Sequence, residues 1–330
     1  MKKYFLYGLM ILGSFLLIGC GKYGEKDIVK DLNKKIDKAT GYYLTGQLEI
    51  MNNEDSYLYN VEVAYEKDDQ FRVSLKNKTN NHEQIILKNK DGVYVLTPSL
   101  NKSFKFQSEW PYNNSQSYLL QTLLKDIEKD QDRTFEETKD GYIFTTKVNY
   151  SNNNNLIKQN IVFDKELNAK EVKILNDKDQ VQMKMVFEKI DYKATYDDTY
   201  FTLKGNMSET TDTTSTTLSS IVYPMYIPNN TQLTGQEKVT TENGERVILT
   251  FSGDSPFMIV QETAKKAEDL LTIPMYGEPY IVTGTVGALS DSSITWISNN
   301  VEFYVVSEVL DSKQLLEVAN SISVKTVAKQ

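Results

Sequence analysis

The sequence predicts an α+β protein: a curved antiparallel β half-barrel covered by helices, followed by a smaller α/β domain. Three observations predict it. Apolar residues recur with a period of two over most of the stretch from Tyr43 to Tyr192. Only two segments before residue 207 carry helical periodicity instead. A hydroxyl-rich run, Ser208 to Ser220, then separates this part from a second set of strands that ends in a helix.

The chain opens with the layout of an export signal: Lys2 and Lys3, then an apolar stretch from Tyr4 to Ile18. That stretch is shorter than the roughly 20 residues that span a bilayer, which disfavours a signal anchor. It ends at Leu17-Ile18-Gly19-Cys20, which is similar to the bacterial lipobox, with leucine three before the cysteine and a small residue one before it. The expectation is a signal peptide over 1–19 and a diacylglyceryl group on Cys20, followed by a tether over 20–27. Two acyl chains anchor stably where one does not. Cys20 is the single cysteine of the 330-residue chain, so a lipidated Cys20 leaves no thiol for a disulfide, a nucleophile or a thiolate metal site. No other cofactor is expected. Removing Lys2 and Lys3 from 37 basic residues leaves 35 against 45 acidic ones, net −10, which argues against nucleic acid as a partner.

The first domain is expected over 28–207. Asp27 is a plausible N-cap for a helix with Ile28, Leu32, Ile36 and Ala39 on one stripe and Gly41 at its C-cap. Strands follow, first with Leu44, Leu48 and Ile50, then Tyr59, Val61, Val63 and Tyr65, then Phe71, Val73 and Leu75. Asp91-Gly92 and Asp140-Gly141 are hairpin signals. Between them Leu119, Leu120, Leu123, Leu124 and Ile127 form the apolar face of a second helix, which should lie on the sheet. Three more strands close the domain, the last with Val181, Met183, Met185 and Phe187 on one side. A meander this long curls around whatever covers its apolar face, and two helices suffice to cover a half-barrel.

"YVLTPSLNKSFKFQSEWP", Tyr94 to Pro111, with the leucine-rich helix after it, closely resembles the LolA-like lipoproteins linked to sporulation in low-GC Gram-positive bacteria. The similarity runs from the lipobox to about Leu203 and includes "AYEKDDQFRVSL", whose aromatic-Arg pair is Phe71 and Arg72. Those relatives usually have a proline after the lysine. Asp68 follows Lys67 here, so a different local turn is expected. The resemblance implies an incomplete antiparallel barrel with helices as a lid, as in LolA, LolB and RseB. It also implies a place on the outer face of the plasma membrane.

The run 208–220 has Leu218 as its only aliphatic residue and shows no alternation, so it is read as a linker rather than a threonine-rich edge strand. The rest, 221–330, resembles a small domain of extracytoplasmic sporulation lipoproteins and anti-sigma factors. The match is carried by Gly284 and Gly287 before a turn, Trp296 on a strand, and a final helix with Asp311 and Gln314 in capping-box spacing. Leu315, Ala319 and Ile322 give that helix a buried stripe. Core packing is the plainer role for Trp296.

Catalysis has little support. The one histidine, His82, lies in a polar stretch between strands and is expected to be solvated. Ser99 and Lys102 have Ser-x-x-Lys spacing but fall in a strand connection, and no phosphate-binding glycine pattern opens a helix. Binding has more. Phe104, Phe106 and Trp110 are clustered, and an exposed Trp110 would mark a contact site. Phe71, Arg72, Phe104, Phe106, Trp110, Met183, Met185 and Phe187 are the candidate ligand-binding set. The expected function is binding a lipid or lipidated protein in the half-barrel of a membrane-anchored lipoprotein. The alternative is a non-enzymatic adaptor for a cell-wall enzyme or regulatory protein.

Overall fold

Two helices fill the hollow of a single large sheet in the first half of the chain. The computed structural model describes residues 24–52, 55–150, 153, 155–207, 221–241 and 244–322. The expected signal peptide, Cys20 and the linker 208–220 lie outside the described residues. The first helix, α1 (Glu25–Ile36), buries Ile28, Leu32 and Ile36, the stripe read from the sequence. It starts inside the stretch expected to be tether. Gly24, not Asp27, is the N-cap. Asp27 stands one turn in, where its carboxylate accepts the Gly24 N–H at 3.1 Å and faces the positive end of the helix. Gly41 does not cap α1, which ends at Ile36, but opens the first strand.

Six strands follow as a meander: β1 (Gly41–Asn52), β2 (Asp55–Glu66), β3 (Gln70–Asn77), β4 (Glu83–Asn89), β5 (Gly92–Thr97) and β6 (Lys102–Phe106). The second helix, α2 (Leu120–Lys129), buries Leu120, Leu123, Leu124 and Ile127 as expected. After it come β7 (Thr134–Glu137), β8 (Gly141–Lys147), β9 (Leu156–Asp164), β10 (Ala169–Asn176) and β11 (Val181–Asp191). The last of these returns to pair with β1, so the sheet runs β6-β5-β4-β3-β2-β1-β11-β10-β9-β8-β7, antiparallel throughout and unclosed at both ends. This is the helix-covered half-barrel expected from the alternation, and the incomplete barrel that the resemblance implies. In the β2–β3 turn Asp68 and Asp69 both have positive φ, 69° and 71°. Proline, fixed near −65°, has no place there, which accounts for its absence after Lys67.

Inward-facing Tyr42, Leu44, Val63, Phe71, Val73, Phe144, Ile161 and Val172 pack with α1 and α2 in one continuous core. The outer face of β1–β5 is covered too. The segment after β11, with its short helix α3 (Leu203–Asn206), lays Tyr196, Tyr200 and Phe201 over Ala64, Ile85, Leu87, Tyr94 and Leu96. This double burial explains the unbroken apolar runs Ile85–Leu87 and Val93–Leu96, where alternation fails.

The second half contains β12 (Thr231–Thr241), β13 (Gly244–Gly253), β14 (Phe257–Thr263), β15 (Leu271–Met275), β16 (Glu278–Val282), β17 (Thr285–Leu289), β18 (Ser293–Ser298), β19 (Val301–Val306) and α4 (Ser312–Asn320). Seven of these strands form a second antiparallel sheet in the order β12-β13-β14-β19-β18-β17-β16. The reciprocal Asp311–Gln314 capping box starts α4, whose Leu315, Leu316, Val318 and Ala319 close the second core. Trp296 is buried there, stacked on Phe303 with ring centroids 5.1 Å apart.

β15 belongs to neither neighbour in sequence. It leaves the second half and adds to the free edge of the first sheet, parallel to β6, with Leu271 opposite Lys102 and Met275 opposite Phe106. As the edge strand it tolerates Pro274.

Candidate functional site

α1 and α2 fill most of the hollow of the half-barrel, and a hairpin of the second half packs into the part they leave. The hairpin β16–β17 projects from the second sheet into the open end of the first. Val286 and Ala288 join the half-barrel core, with Ile281 packed against it, while Val282 and Leu289 stay in the second core. The hairpin thus buries one face on each side.

Local geometry makes this insertion possible. Thr283 and Gly284 turn the hairpin with φ of 45° and 77°. A Cβ at Gly284 would stand 2.5 Å from the Tyr57 ring of β2, so glycine serves both the turn and the close approach. One polar side chain secures the inserted strand. Gln84, on β4 and nearly inaccessible, donates from Nε2 to the Val286 carbonyl at 2.9 Å. Its Oε1 accepts the Val286 N–H at 2.5 Å and the Thr285 hydroxyl at 2.6 Å. β18 pairs with β17 only at Ala288 and Leu289, so Val286 lies beyond that ladder and Gln84 takes the place of the missing strand. At the rim Lys102 meets Glu302 at 3.2 Å, Ser108 bonds Glu278, and the Ser103 and Thr272 hydroxyls are 3.1 Å apart.

Beside the inserted strand the space is small, with cavities of about 20 Å³ and about 40 Å³. Each can hold water, which needs about 10–15 Å³, whereas ligand pockets typically measure about 300–1,000 Å³. The larger is lined by Leu48, Ile86, Met183 and Val286 at its base and by Tyr118, Tyr150 and Tyr280 above. Burial raises the pKa of all three phenols, that of Tyr280 to about 12. A third cavity, of about 300 Å³, lies against the second sheet between Arg246, Val260, Glu262, Thr295, Glu302 and Tyr304, away from the half-barrel core.

The structure brings together most of the predicted set. Phe71, Phe106, Trp110, Met185 and Phe187 are buried in the half-barrel core, and Phe104 and Met183 pack against it. Phe104 and Phe106 line the smaller cavity and Met183 the larger. Arg72 is not with them. Successive residues of a strand face opposite ways, so Arg72 lies outside, beneath the α3 segment. There its Nε donates to Asn206 at 2.5 Å and its guanidinium stands 5.7 Å from the Tyr200 ring. Trp110 is not exposed. The Gln107–Tyr118 loop folds across the hollow, Trp110 stands edge-on to Phe71, and its backbone N–H bonds the Ser108 hydroxyl at 2.9 Å. His82 is half-buried rather than solvated. Burial holds its pKa below the usual imidazole value, and its Nε2 has no hydrogen-bond partner among the described residues. Also among the described residues, no three His, Cys, Asp or Glu side chains come close enough to hold a metal ion.

The residue that sequence reasoning missed is Gln84. Its signal is a polar side chain in the inward phase of an otherwise apolar strand, two before Ile86.

Fold and joint define a helix-filled antiparallel half-barrel protein into whose core a hairpin of the second half inserts. The chain belongs to the family of the sporulation protein YdcC of Bacillus subtilis (strain 168), with which it is 34% identical over 327 residues, 97% of each chain. No family model matches it. Among solved structures it is similar to MucB, at 14% identity over 92% of this chain and 99% of that one, with a TM-score of 0.36. It is also similar to a putative outer membrane lipoprotein-sorting protein domain from Vibrio parahaemolyticus, at 10% identity over 54% and 96%, with a TM-score of 0.33.

Proposed function

We propose that the protein is an extracytoplasmic adaptor in sporulation, tethered to the outer face of the plasma membrane by a lipid on Cys20. It acts without catalysis, by holding a protein partner. The observation that carries this reading is the filled hollow: α1, α2 and the β16–β17 hairpin share one core with the sheet, and the cavities beside the hairpin measure about 20 Å³ and about 40 Å³. Family membership supports the sporulation role, and the lipobox supports the anchor. A diacylated protein stays at the membrane, since each buried methylene contributes about 0.8 kcal/mol, so a shuttling carrier is disfavoured on the same ground.

Native mass spectrometry of the full chain purified from its own host tests the reading. A stoichiometric protein partner is expected, with no lipid mass beyond the covalent diacylglyceryl group on Cys20. A bound lipid that disappears on Met185→Asp or Phe187→Asp would overturn it in favour of lipid binding.

A further inference from the structure

The occupied hollow also carries information about what it is built to hold. An acyl chain asks nothing of a wall except apolar surface. This wall instead presents one buried carboxamide, Gln84, whose two ends both pair with a single residue's backbone, N–H and carbonyl of Val286. That is how a neighbouring strand reads a peptide. An alkyl chain in the same place would leave Gln84 with a buried donor and acceptor unmet, a loss of about tenfold or more in affinity. Flanking the carboxamide, aliphatic and aromatic side chains (Ile86, Val95, Phe104 and Phe106) line the cavities beside Val286 and Ala288. The Tyr57 ring lies against the turn and admits only glycine there.

We infer that the hollow is a recognition site for an extended apolar protein segment, and that the β16–β17 hairpin is an internal pseudo-ligand masking it. The occupant is a partner strand with small apolar residues at alternate positions, the pattern of Val286 and Ala288 with glycine at the turn. It is read through its backbone by Gln84. The inference rests on the adaptor reading and gives that adaptor a contact site. The β15–β6 ladder can hold the two halves together while the hairpin is displaced, since it lies outside β16 and β17, and a strand that takes the hairpin's place gains the same backbone pairing from Gln84.

The test uses the full chain and a fluorescent peptide copying Glu278–Leu289. Lys102→Glu places a carboxylate opposite Glu302 and loosens the joint without touching either core. Gly284→Val, which meets the Tyr57 ring, loosens it independently should the first variant fail to fold. The peptide is expected to bind a loosened chain at least about tenfold tighter than the original one, because the internal competitor is partly withdrawn. Adding Gln84→Leu is expected to remove at least about tenfold of that affinity. Two results would overturn the proposal: peptide binding indifferent to Gln84, or a fluorescent fatty acid that binds the loosened chain where the peptide does not. If the peptide fails while a protein partner still co-purifies, the adaptor reading stands and its contact lies elsewhere. A non-covalently held lipid in the native mass spectrum, beyond the anchor on Cys20, removes that reading itself.

Discussion

Asp126, on α2, shows how a single buried group sets a pH dependence in this molecule. Its carboxylate accepts hydrogen bonds from the Ser115 hydroxyl and from Gln159 Nε2, both at 2.7 Å. Burial is nevertheless the dominant influence and raises its pKa, with those two bonds pulling the other way. A carboxyl whose native pKa is raised binds its proton more tightly folded than unfolded. It therefore favours the fold at pH below the ordinary carboxylate value, and this contribution is lost as pH rises through the raised one. Asp126→Asn keeps an acceptor for Ser115 and removes the titration. Urea midpoints measured from about pH 4 to pH 7 should then fall less steeply in the variant than in the original chain. Identical slopes would show that Asp126 does not titrate as described. None of this was legible in the sequence, where Asp126 and Glu128 are two carboxylates of one helix with nothing to tell them apart. The same limit explains Trp110 and His82. Both sit in polar or proline-containing connections, and only the way those connections fold onto the sheet decides their burial.

At the scale of elements the sequence was far more explicit. Periodicity located α1, α2 and the inward faces of β1, β2, β3 and β11, because a sheet with one buried face must alternate and a helix on it must carry a stripe. It failed where a second layer intervenes, over Ile85–Leu87 and Val93–Leu96, and where pairing is remote, as in β15 with its internal proline. The inserted hairpin was visible only as Gly284 and Gly287, and its destination was not visible at all, since Gln84 lies about two hundred residues away in sequence. The Gln84–Val286 pairing joins these elements, and its worth can be measured. Gln84→Leu preserves volume but leaves the Val286 N–H and carbonyl buried and unpaired, a cost of about 1–3 kcal/mol. The expected result is a lower denaturation midpoint with an unchanged m-value. An unshifted midpoint would mean that water already reaches these groups.

Over the whole molecule, the two halves are not beads on a string. The Ser/Thr-rich run suggested separate domains. Yet the second half gives β15 to the first sheet and the β16–β17 hairpin to the first core, so the half-barrel is completed by a segment far along the chain. The proposed adaptor role rests on this closed joint. Amide hydrogen exchange at Val286 tests it most directly. That N–H lies outside the β17–β18 ladder and is satisfied by the Gln84 side chain only while the hairpin sits in the hollow. Protection at Val286 matching that of the core strands, and lost in the Lys102→Glu chain, is the predicted result. Exchange at the rate of an exposed loop in the original chain would contradict it and show the hollow standing open.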